Sequence, residues 1–65
     1  MNENNEKFKR HRFNVVYNDG SSQNITANRF YLEDDIFWFK NSLDETLAAY
    51  PKNKVKGIKK ICTLI

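Results

Sequence analysis

Few side chains here could do chemistry, and none has the neighbours that chemistry needs. There is one histidine, His11, and one cysteine, Cys62. A general base needs a partner that orients it and a group whose proton it takes. His11 instead stands beside Lys9, Arg10 and Arg12, and reads as a solvated side chain. Cys62 has no histidine near it in sequence, so a buried structural thiol is expected. One thiol can make neither an internal disulfide nor a zinc site. Glu33, Asp34 and Asp35 are adjacent carboxylates. A hard cation needs oxygens that converge from spaced positions, so this run reads as a solvated turn. The only glycines are Gly20 and Gly57, too few for a phosphate-cradling loop. No catalytic residue, metal or cofactor is expected, and the chain is not expected to be an enzyme.

Charge and aromatic rings remain. The net charge is +3, unevenly spread. Lys7, Lys9, Arg10 and Arg12 form one basic cluster; Lys52, Lys54, Lys56, Lys59 and Lys60 form another. Between them Asp19, Glu33, Asp34, Asp35, Asp44 and Glu45 outnumber Arg29 and Lys40. If the fold joins the two clusters, the patch would attract an acidic partner such as nucleic acid. The plainer alternative is that the lysines maintain solubility and guard strand edges. A core this small cannot hide every ring, and Tyr31, Trp38 and Tyr50 are expected to be partly exposed. Exposed rings stack bases or anchor protein contacts. Core and rim packing is the competing explanation.

The chain that must position these groups has 65 residues, enough for one small domain of marginal stability. Residues 1–12 read as a polar, basic N-terminal arm, and residues 13–65 as the domain. Phe13, Val15 and Tyr17 alternate with Asn14, Val16 and Asn18, the period of a half-buried strand. Asn18-Asp19-Gly20 is a hairpin turn. A second strand spans 22–32, with Ile25 and Ala27 on one face. Its apolar parity then shifts to Phe30 and Leu32, which predicts a bend near Asn28 and Arg29. A turn at 33–35 leads to a central strand at 36–39, apolar on both faces.

Two later segments have two readings each. Ser42 and Glu45 fit a capping box, so a short helix near 43–50 competes with a strand at 46–50. Val55, Ile58, Ile61, Cys62 and Ile65 have helical spacing, but β-branched residues and Gly57 favour a strand at 55–61. The strand is preferred in both. Pro51 ends the first, and 51–54 looks like a single tight turn.

In this order the elements resemble small five-stranded barrels of the SH3-like or Sm-like kind. Ala49-Tyr50-Pro51-Lys52-Asn53-Lys54-Val55 resembles the strand, short 3₁₀ turn and final strand of SH3-like barrels. Val15-Val16-Tyr17-Asn18-Asp19-Gly20, leading to Ile25 and Ala27, resembles the first hairpin of Sm-like proteins. The pattern also resembles short phage and mobile-element proteins. The resemblance implies a mostly β fold over residues 13–61 and carries over no site residue, because a fold does not define a function.

The expected function is a binding module for an acidic partner, with nucleic acid favoured. A phage or mobile-element accessory protein or inhibitor that binds a host protein is the first alternative. A homo-oligomer that sequesters an anionic nucleotide ligand is the second. No apolar run opens the chain or is long enough to span a membrane, so a cytoplasmic location is expected.

Overall fold

The computed structural model describes residues 8–64. Six strands follow one another: β1 (Arg10–Tyr17), β2 (Ser22–Ala27), β3 (Arg29–Glu33), β4 (Ile36–Lys40), β5 (Thr46–Pro51) and β6 (Val55–Leu64). A 3₁₀ turn at Lys52–Lys54 joins the last two. The strands form two three-stranded antiparallel sheets, ordered β2-β1-β6 and β3-β4-β5. The protein is therefore mostly β.

Both ambiguous segments are strands. The helix considered near 43–50 does not form, because Asn41 takes over the backbone donors that would start it. Its side-chain oxygen accepts from the N–H groups of Leu43 and Glu45, each at 2.9 Å. Such local bonds compete with a helical first turn. The C-terminal helix is absent too, since β6 pairs with β1 along its length. β1 begins at Arg10, so the last residues assigned to a polar arm belong to the strand.

The expected closed five-stranded barrel is not what forms. Among the described residues the two sheets stay open, with β2 and β6 at the edges of one and β3 and β5 at the edges of the other. The long bent second strand is divided at Asn28 into β2 and β3. The Asn28 N–H donates to the Lys40 carbonyl at 2.9 Å, and its side chain donates to the Lys9 carbonyl at 2.8 Å. One residue thus passes the chain from the first sheet to the second.

The sheets meet through their inner faces. Phe13, Val15 and Ala27 from the first sheet and Phe39 from the second are buried. Phe13 meets Phe39 edge-on with ring centroids 5.5 Å apart, and Tyr17 meets Tyr50 at 6.0 Å. Full burial of a side chain such as Val15 or Phe39 contributes about 1.5–3 kcal/mol. Phe30 and Leu32 have the inward parity expected of them. They remain 36% and 47% exposed, because β3 is an edge strand.

Three register shifts place an extra residue in an outer strand: Leu47 in β5, and Lys56 and Ile61 in β6. The last of these overturns the expected buried thiol. Past Ile61 the strand resumes with Cys62 opposite Arg12, and Cys62 is exposed.

Candidate nucleic-acid interface

The β1–β6 ladder sets the geometry of the basic residues. Arg12 faces Cys62, Asn14 faces Lys59, and Phe13 faces Lys60. Phe13 and Val15 point into the core, so Arg10, Arg12 and Asn14 share the outer face. Lys59, level with Asn14, joins them there. Asn14 also donates to the Asn24 side chain at 2.9 Å, which extends this polar face onto β2.

Lys56, Lys54 and Lys52 continue toward the far end of the sheet. There the Lys54 carbonyl accepts from the Asn18 N–H at 3.1 Å. From Arg10 to Tyr17 the strand spans roughly 25 Å, so these cations form an elongated strip. Lys9 precedes the strip; Lys7 lies outside the described residues. His11 is tied to Thr63, with its ring Nδ1 2.9 Å from the hydroxyl.

Charge is segregated by sheet. The strands β2, β1 and β6 carry Arg10, Arg12, Lys56, Lys59 and Lys60, and no Asp or Glu. The carboxylates of the described residues lie in the three hairpin connections and at the end of β3. Asp19 is bound in its own turn, accepting from the Ser21 hydroxyl at 2.6 Å and the Ser21 N–H at 2.9 Å. Those bonds hold its carboxyl below its ordinary pKa. Among the described residues, no three of His, Cys, Asp and Glu gather where they could hold a metal ion.

The three singled-out rings do not share a surface. Tyr31 and Trp38 are directly opposite each other on β3 and β4. Alternation places them on the outer face of the second sheet, away from Phe30 and Phe39. Tyr50 is on the inner face, opposite Phe37 and 5.7 Å from the Phe39 ring. Burial there, with the neighbouring Tyr17 hydroxyl, pushes the Tyr50 phenol above its ordinary pKa.

Two cations outside the predicted clusters complete the outer face. Arg29 and Lys40 are opposite each other, one row beyond the ring pair. The Arg29 guanidinium lies 5.4 Å from the Tyr31 ring centroid, and the Lys40 ammonium lies 5.7 Å from that of Trp38. Arg29 also pairs with Asp44, and Lys40 donates to the Thr46 hydroxyl at 2.7 Å. The sequence does carry a signal for this group. Arg29-x-Tyr31 and Trp38-x-Lys40 each put a cation and a ring on one face of adjacent strands.

The sheets pack through their inner faces, so the cationic strip and the ring pair look in opposite directions. Two shallow clefts flank the 3₁₀ turn. One is lined by Lys54 with Asp19, the other by Lys52 with Asp35, so each sets a carboxylate near its lysine. None of the described helical turns is long and apolar enough to cross a membrane. No protein-family model, curated protein or solved structure matches this chain.

Proposed function

We propose that this chain is a non-catalytic binding module for an acidic partner, and that the partner is nucleic acid. One observation carries the reading: a three-stranded sheet whose charged side chains are all cationic. Lysines kept only for solubility need no such segregation, and mixed signs serve solubility as well. A sheet whose strands carry five cations and no carboxylate suits a polyanion with regularly spaced charges. The fold proposed to present it is an open relative of the SH3-like or Sm-like plan, in which β2 and β3 count as one bent strand.

Binding to labelled oligonucleotides, followed by mobility shift at two salt concentrations, tests the reading. Wild-type protein should bind, and affinity should fall steeply as salt rises. Arg12→Glu combined with Lys59→Glu should weaken binding roughly uniformly across sequences and flatten the salt slope. Absence of a shift at low salt would exclude nucleic acid as the partner.

A second reading, binding to a host protein, is favoured by the open strand edges and by exposed Leu32, Leu47 and Ile61. Stoichiometric recovery of one host protein, with no binding to nucleic acid, would favour it. The nucleotide-sequestering oligomer is less well supported, because the acid beside each cleft lysine would repel an anion.

A further inference from the structure

We infer that the outer face of β3-β4-β5 is a second surface, specific for unpaired bases, which stack on Tyr31 and Trp38 while a phosphate occupies the Arg29–Lys40 row. The inference rests on the nucleic-acid reading above and adds the strandedness of the ligand.

Three observations converge on it. Tyr31 and Trp38 are half-buried cross-strand neighbours on the outer face of the sheet, and no other described strand pairs beyond β3 or β5 there. On the far side of Trp38 the neighbour is Ala49, which is too small to shield the indole. The indole N–H donates to the Glu33 carbonyl at 3.1 Å, which fixes the half-buried ring, and the Lys40 ammonium over it marks the face that a base would take when Lys40 turns to a phosphate.

The cation row is the second part. Like charges directly opposite each other on paired strands destabilise a sheet. Arg29 and Lys40 hold that arrangement, and the neutralisation near them comes from Asp44 in the exposed β4–β5 connection. A phosphate between the two cations would relieve the repulsion from both sides. Rows on one strand face are roughly 7 Å apart, close enough for one nucleotide to span base platform and cation row. A duplex cannot use the rings, because its bases are already stacked.

Trp38 is the sole tryptophan, so its fluorescence reports on this surface alone. Wild-type protein would be titrated with a short oligothymidylate, with a duplex of equal length, and with polyglutamate. Binding is followed independently by the anisotropy of labelled ligand. The single strand should quench Trp38 emission in step with its anisotropy, whereas the duplex should bind without quenching. Tyr31→Leu should weaken single-strand binding roughly ten-fold or more and leave duplex binding unchanged, while Tyr31→Phe should behave as wild type.

Single-strand binding with no change in Trp38 emission would overturn the inference and leave the nucleic-acid reading standing. Equal quenching by polyglutamate would overturn it in favour of a site for acidic protein chains. Absence of binding by both oligonucleotides would overturn the two readings together. The wild-type quench needs no variant, so a Tyr31→Leu chain that fails to fold does not decide the question.

Discussion

Asp34 and Asp35 both adopt left-handed backbone conformations, with φ of 55° and 61°. They are the two central residues of the β3–β4 hairpin, since Glu33 pairs with Ile36. Positive φ at both central residues makes this a type I′ turn, a conformation that glycine and asparagine reach most easily and aspartate tolerates. Asp35→Gly should therefore stabilise the domain by about 0.5 kcal/mol, and Asp34→Val should destabilise it by about 1–2 kcal/mol. Thermal unfolding followed by circular dichroism measures both. Tyr50 gives a pH prediction at the same scale. Its phenol is held above the ordinary value, so the folded state binds that proton more tightly than the unfolded chain. This contribution is complete below the unfolded pKa, near 10, and is lost as pH rises through the higher folded value. Wild type should lose stability relative to Tyr50→Phe as pH rises above about 10, in chemical unfolding at each pH.

At the scale of elements, β6 shows where sequence patterning stops being informative. The inner-face alternation of β1 and the punctuation at Gly20, Asp34 and Pro51 are local, and they locate strands and turns correctly. The extra residues Lys56 and Ile61 arise only when β6 is laid against β1, and each resets which side chains face the core. Cys62 therefore looks buried by spacing and is exposed in the fold. The same limit applies to the site. Tyr31, Trp38 and Tyr50 are equivalent as sequence, but pairing sends Tyr50 to the opposite face. The Arg29–Lys40 row was legible in the alternation and was masked by the acids around it. β6 also offers a test. Gly57 faces Val16, has no positive φ, and a Cβ there would meet nothing within 4 Å. Gly57→Thr should raise stability by roughly 0.5–1 kcal/mol, read as a higher denaturant midpoint with an unchanged slope.

For the whole molecule, one sheet repels itself. Arg10, Arg12, Lys56, Lys59 and Lys60 lie on the adjacent strands β1 and β6, with no compensating acid in the sheet. Screening over a Debye length of about 10 Å at 0.1 M salt should relieve that strain. The free protein should melt at a higher temperature in 0.5 M than in 0.05 M sodium chloride, while its affinity for oligonucleotides moves the other way. Differential scanning fluorimetry at the two salt concentrations measures the first half of that opposition. The register shifts of β6 have a further consequence at this scale. A ten-residue outer strand would ordinarily be a template on which other chains add and fibrils grow. Extra residues at Lys56 and Ile61 throw its free amides and carbonyls out of line twice, and Lys59 and Lys60 charge the stretch between them. The longest strand of the protein is thereby a poor seed for amyloid.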